Sequence, residues 1–312
     1  NPDVVSHFDT LKIEELEKDK VHVSGCRGSS PPKDHKVCIN LAGGFRNGME
    51  IILTGMDIEE KAKVFTEVLF NSVGGQEQFD EVFIELQRTD KENPTTNEQA
   101  MASLVISVKS SNQELVGRLF SAKIIELALA NIPGFFAESG PKSSGPVIIY
   151  WPALVDSKYI TEKVHIDGKE IEVMPTSQLD YEEIYYQREP ISIDDIEISD
   201  QKEIYFGDLF GTRSGDKGGC ANLGVWAKNN LSYSFLYNFL TIEKLKELLP
   251  DLSEYKIERF ELPNINSLNF YIHNILEDGV SSNNRKDGQA KSLGEYLRVK
   301  KILVPDSILL ET

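Results

Sequence analysis

Apolar residues recur along the chain with two periods, and the switches between them outline its elements. Val37-Cys38-Ile39-Asn40-Leu41 and Met49-Glu50-Ile51-Ile52-Leu53 flank Gly43, Gly44 and Gly48, which predicts a hairpin with a loose glycine-bearing turn. Ala62, Val64, Phe65, Val68 and Leu69 then recur at helical spacing, with Asp57 as the cap and Glu60 completing a capping box. Phe79–Leu86 and Leu104–Val108 alternate as strands. Asn112 is positioned to cap a helix from Glu114 to about Ala130. Pro146–Trp151 reads as a strand, and Glu162–Ile166 with Glu170–Val173 as a hairpin through Asp167-Gly168. Strand, strand, helix, strand, strand, helix, strand predicts an α+β fold, a mixed sheet with helices on one side.

A second module begins at Ile204–Phe210. A glycine-rich loop follows, and Ala221–Ala227 is extended. Phe235–Leu249 is helical, with Thr241 capping a restart; Lys244 rather than an acid lies three residues on, so no full capping box forms. Ile257–Leu262 and Leu268–Leu276 predict two strands joined through Pro263-Asn264. Ser292–Leu297 is helical and Val299–Val304 extended. The two modules hint at a shared topology. Between them, Thr176–Tyr205 is crowded with acids against only Arg188 and Lys202, and contains Pro190. This stretch reads as a solvated joint, dividing the chain into domains 1–190 and 200–312.

Composition changes this picture in a few places. At 312 residues the chain is long enough for two full cores. Its net charge of −17 argues against nucleic acid as a partner, since that binding depends on basic residues neutralising phosphates. No apolar run is long enough to span a bilayer. Cys26, Cys38 and Cys220 are odd in number, with no Cys-x-x-Cys and no histidine at ligand spacing, so neither a disulfide framework nor a metal site is expected. Reduced thiols point to the cytoplasm. The chain opens on Asn1-Pro2 without Met, as expected of a piece of something longer or a processed chain.

Candidate chemistry gathers in three places. Thr212-Arg213-Ser214-Gly215-Asp216-Lys217-Gly218-Gly219-Cys220-Ala221-Asn222 is rich in glycine, which suits an anion-binding concavity of backbone N–H groups. Arg213 and Lys217 would hold a carboxylate or phosphate, Ser214, Gly218 and Asn222 would line it, and Asp216 would orient the basic pair. The run is not a nucleotide-binding P-loop, because Lys217 is followed by glycine. A long hairpin with charges facing water is the competing reading. In Val23-Ser24-Gly25-Cys26-Arg27-Gly28, Arg27 could reach an anion; a strand ending in a turn competes there. In Asn269-Phe270-Tyr271-Ile272-His273, alternation puts Asn269, Tyr271 and His273 on one face, and His273 is the best proton-transfer candidate among the five histidines. A structurally satisfied histidine is the alternative.

Arg213-Ser214-Gly215-Asp216-Lys217-Gly218, followed by Asn222-Leu223-Gly224-Val225, resembles the signature of the AtuA-like ferredoxin-fold domain. Val21–Gly28, Lys36-Val37, Gly43-Gly44 and Gly55 resemble the later part of the acyclic terpene utilisation AtuA family. Tyr150–Val155 and Phe270–His273 are similar to it as well. The resemblance runs along essentially the whole chain. It implies that the second module is ferredoxin-like, and that a larger N-terminal half precedes the family's later part. Gly219 stands where bacterial relatives often carry Asp, which speaks against a metal held by paired acids. The resemblance further implies a catabolic role on a branched or terpenoid carboxylate or acyl-CoA; the basic glycine-rich stretch together with the polar strand face bearing His273 suits hydratase or lyase chemistry, and the sequence names no cofactor. The other reading is a non-catalytic scaffold, a homo-oligomer contact or a contact with the N-terminal half.

Overall fold

The computed structural model describes residues 4–130, 132–173 and 200–310. The acidic stretch expected to separate the domains near 190–200 lies almost wholly outside the described residues. The chain divides into two compact units, one of residues 40–149 and one of residues 1–39 with 150–312.

The chain opens with strands β1 (Val5–His7), β2 (Lys12–Glu17), β3 (Lys20–Ser24) and β4 (Arg27–Ser29). β2 and β3 form a hairpin turning at Asp19, and β1 pairs antiparallel with β4.

Next comes β5 (Asp34–Thr54), one strand of 21 residues where the sequence suggested a hairpin. The glycines explain the difference. Gly44 has φ +86 and its side-chain position lies 2.8 Å from the Ser110 carbonyl oxygen, while a Cβ on Gly48 would stand 2.7 Å from that of Ile106. They let a neighbouring strand approach closely rather than turning the chain back.

That neighbour belongs to the first unit's sheet. After β5 come α1 (Ile58–Ser72), β6 (Glu81–Gln87), β7 (Met101–Ser110), α2 (Arg118–Glu126), β8 (Phe135–Ala137) and β9 (Gly145–Asp156). The sheet order is β6-β7-β5-β8, with β9 also pairing β5. The pairs of β7 with β5 and β6, and of β5 with β8, are antiparallel. Each helix carries the chain past one strand before it rejoins the sheet, so strands that run the same way are separated by one that runs opposite. This is the split β-α-β arrangement of ferredoxin-like folds. β7 alternates strictly, and Ala102, Leu104, Ile106 and Val108 pack under Phe65 and Leu69 of α1 and Phe120 and Ile124 of α2. Asp57 is the residue before α1 but has φ +58 and makes no side-chain cap, so the expected capping box does not form. Asn112 accepts a bond from the Glu114 amide, yet α2 starts only after Gly117.

β10 (Glu162–Ile166) and β11 (Lys169–Val173) form the expected hairpin. Positive φ at Asp167 and Gly168 is the conformation that a two-residue type I′ turn requires.

The remaining elements are β12 (Gln201–Tyr205), α3 (Phe206–Leu209), β13 (Gly211–Lys217), β14 (Cys220–Trp226), α4 (Asn230–Phe239), α5 (Ile242–Leu248), β15 (Ile257–Leu262), β16 (Ser267–Ile272), α6 (Leu293–Arg298), β17 (Lys301–Pro305) and α7 (Asp306–Leu309). Thr241 caps α5 through the Lys244 amide, as its position between the two helices suggested. The order β13-β14-β16-β15 again places the strand after the helices one position away, with β16 between. The hint of a shared topology therefore holds for this split β-α-β core. Here β13 takes the fourth-strand place, and β17 instead pairs antiparallel with β12. Ala221, Leu223, Val225, Leu268, Phe270 and Ile272 are fully buried under the helices, with Leu236, Leu245 and Leu297.

Candidate functional site

Alternation in β14 and β16 leaves a second face on the latter sheet. Opposite the core, Asn222 pairs with Gly215 on one side and with Tyr271 on the other, and Tyr271 pairs in turn with Glu258. One row thus crosses all four strands. A second row, Arg213–Gly224–Asn269–Phe260, runs beside it. Beyond the first row, Ala221 pairs with Ile272, so His273 follows alongside Cys220, itself paired with Lys217. The face is polar and half-open, bordered by the exposed rings of Trp226 and Phe260.

His273 is held on this face. Its backbone N–H donates to the Lys256 carbonyl, and its Nε2 lies 2.6 Å from Oε1 of Glu258. Glu258 also approaches Lys256 Nζ at 3.2 Å. The bond from His273, and then that from Lys256, hold the Glu258 carboxyl below the usual carboxylate range. With Glu258 ionised, Nε2 donates, and Nδ1 of a neutral ring is left as the acceptor. Tyr271 stands edge-on to His273, ring centroids 4.9 Å apart. A hydrogen bond with the Cys220 thiol, aided by burial, pushes the Tyr271 hydroxyl up to about 12.

The stretch read from sequence as a glycine-rich loop is two strands and a turn. Its inward backbone groups are spent in the β13–β14 ladder, because residues 211–217 and 220–226 pair one to one. Gly218 carries φ +66 at the first turn position, as in a type II′ hairpin turn. Its side-chain position meets the Tyr150 ring at 2.8 Å, and a Cβ on Gly219 would stand only 2.1 Å from the Glu277 carbonyl oxygen. These two glycines serve close packing.

The residues singled out from the sequence are distributed as follows. Arg213 and Asn222 share the polar face with Tyr271, and His273 adjoins it. Arg213 and Lys217 are four residues apart on one strand, about 13 Å at the usual rise. Ser214 and Asp216 alternate to the other side. Ser214 Oγ accepts a bond from the Gly294 amide at the start of α6. Asp216 pairs at 3.4 Å with Lys291, not with Arg213 or Lys217; Lys217 Nζ instead donates to the Asp216 backbone carbonyl. Arg27 stands on β4 opposite His7, in a different sheet from these groups.

A family model for the acyclic terpene utilisation family protein AtuA matches residues 1–166, and one for the AtuA ferredoxin-like domain matches residues 205–303. The chain belongs to the acyclic terpene utilisation AtuA family. The AtuA ferredoxin-like match covers the sheet that carries the polar face, the whole β13–β14 hairpin and His273. No curated protein and no solved structure matches this AtuA chain.

Sequence reasoning missed Glu258, Cys220 and Lys291 in this AtuA domain. Cys220 adjoins the motif and was legible by position. Glu258 emerges only from the pairing of β15 with β16, and Lys291 from a contact 75 residues distant. Among the described residues no group of three or more His, Cys, Asp or Glu side chains is placed to hold a metal ion. No helix among them is long and apolar enough to cross a membrane.

Proposed function

We propose that the protein is a cytoplasmic catabolic enzyme of acyclic terpene utilisation acting on a branched or terpenoid carboxylate or acyl-CoA. Its chemistry is of the hydratase or lyase type. The observation that carries this reading is the His273–Glu258 pair at the margin of an open polar face that also bears Arg213 and Asn222. Glu258 orients the ring, and Nδ1 takes the proton α to the substrate carbonyl. Negative charge develops on the carbonyl oxygen as that proton is removed, where a cation nearby stabilises it, and is discharged as the β-hydroxyl departs as water, protonated by the His273 ring. Arg213 and Lys217 stand far enough apart to suit two anionic groups, or the two ends of one long ligand. Ser214 and Gly218 keep the hairpin that presents them, and the Asp216 carboxylate holds Lys291 beside it.

The test is turnover of branched hydroxyacyl- and enoyl-CoA substrates, and of the free acids, by the full-length protein. His273→Ala is expected to lower kcat by about 10²–10⁴-fold, and Arg213→Ala chiefly to raise KM. Turnover left intact by both variants would falsify the assignment. A second reading, a non-catalytic scaffold or subunit contact, rests on the close packing of Gly218 and Gly219 against Tyr150 and the Glu277 backbone. It gains if variants of the motif change the sedimenting mass without affecting any turnover.

A further inference from the structure

Lys291 lies outside the motif and outside any helix or strand, yet separate features converge on it. Its ammonium stands 3.4 Å from Oδ1 of Asp216, the acid of the motif. It also lies 2.9 Å from the point that a Cβ on Gly215 would occupy. Gly215 has no positive φ, so its backbone does not demand glycine. What the missing side chain provides is the space beside which the ammonium sits. Gly215 is the register partner of Asn222, whose Oδ1 is buried without a hydrogen-bond partner. The ammonium is therefore directed toward the face that carries Asn222 and Tyr271.

The backbone that delivers Lys291 is strained and over-determined. Ala290 is buried and has φ +52, a region that residues with a Cβ rarely adopt. Asp287 holds the turn in place. Its carbonyl accepts from the Ala290 amide, and its carboxylate accepts from the amides of Lys291 at 2.8 Å and Ser292 at 2.7 Å, and from the Ser292 hydroxyl at 2.6 Å. An exposed Lys–Asp pair contributes little stability, so stability does not account for strain kept at this point. Strain of this kind persists where the position of a side chain matters. An ammonium has three donors, and its approach to Asp216 at 3.4 Å leaves at least two of them for a ligand.

Resting on the functional reading above, we infer that Lys291 is the binding group for the substrate's anionic carbonyl oxygen. That oxygen is the carboxylate of a free acid or the thioester oxygen of an acyl-CoA. Asp216 positions the ammonium, and Gly215 keeps its approach open. The test is titration of the ¹⁵N-labelled full chain with acetate, inorganic phosphate, isovalerate and isovaleryl-CoA, following the amides of Gly215 and Asn222. Lys291→Gln is expected to weaken isovalerate and isovaleryl-CoA by about tenfold or more, the loss that follows removal of a charge-assisted hydrogen bond. Lys291→Arg recovers most of that loss, and Gly215→Ala reproduces the Gln variant. Lys291 is more than half exposed, so its Gln and Arg variants fold, and the atoms nearest a Cβ at Gly215 are the flexible end of that same side chain. Equal affinities in the wild type and Lys291→Gln overturn the inference, as does the lack of saturable binding by all four anions. If acetate or phosphate binds in a Lys291-dependent way while neither isovaleryl compound binds, the anion site stands and the branched-substrate reading falls instead.

Discussion

At the scale of single residues, the motif's glycines are not equivalent. A Cβ on Gly219 would collide with a main-chain oxygen that cannot swing aside, whereas one on Gly224 would meet nothing nearer than 3.6 Å. Gly219→Ala is therefore expected to destabilise by about 2 kcal/mol or more, and Gly224→Ala to stay within about 0.5 kcal/mol of the wild type. Urea denaturation of the two variants checks this contrast. The alternation of Asn269, Tyr271 and His273 was legible in the sequence because a strand's period is local. Their partners were not, since Glu258 and Cys220 become neighbours only once three strands have chosen a register. Lys291 was illegible for the same reason at longer range, and its strained turn leaves no compositional mark beyond Asp287 and Ser292.

At the scale of elements, the helices and strands of the second module follow their apolar spacing closely, while β5 does not. Three glycines within six residues look like a turn when read locally, but here Gly44 and Gly48 admit the neighbouring strand at Ser110 and Ile106, and Gly43 makes room for Ile149 and Val147. Capping shows the same divide. Asn229 Oδ1 accepts the Ser232 amide at 2.8 Å and starts α4, and Thr241 starts α5, whereas Asp57 has the right chemistry in the wrong backbone conformation. Asn229→Ala should cost about 1 kcal/mol, and Asp57→Ala should not show a loss of that cap energy. Thermal unfolding of the two variants measured side by side separates these outcomes.

At the scale of the whole molecule, fifty acidic residues set the response to pH. Two of those with lowered values flank the polar face. Burial works to raise Asp287, but bonds from the Ser292 side chain and from the amides of Ser292, Lys291 and Gln289 more than offset it. Glu258 is lowered by His273 and then by Lys256. A carboxyl held lower when folded contributes stability that is complete above its unfolded value, about 4. That stability is lost as pH falls through the lower folded value. Urea midpoints should therefore be level from neutral pH down to about 5.5 and fall below about 4.5, with a shallower fall in Asp287→Asn and Glu258→Gln.

The pairing of β12 with β17 has a consequence for how the second module can be handled as a piece of chain. Gln201 and Pro305 are direct cross-strand partners, so entry and exit lie one strand's width apart, about 5 Å. A module whose ends meet in this way behaves as a cassette: a two-residue turn can join 305 to 201, and the chain can be reopened elsewhere. Opening it at Glu254, in the exposed link between α5 and β15, should give a circular permutant. That permutant is expected to keep cooperative unfolding and the ring contact of Tyr271 with His273.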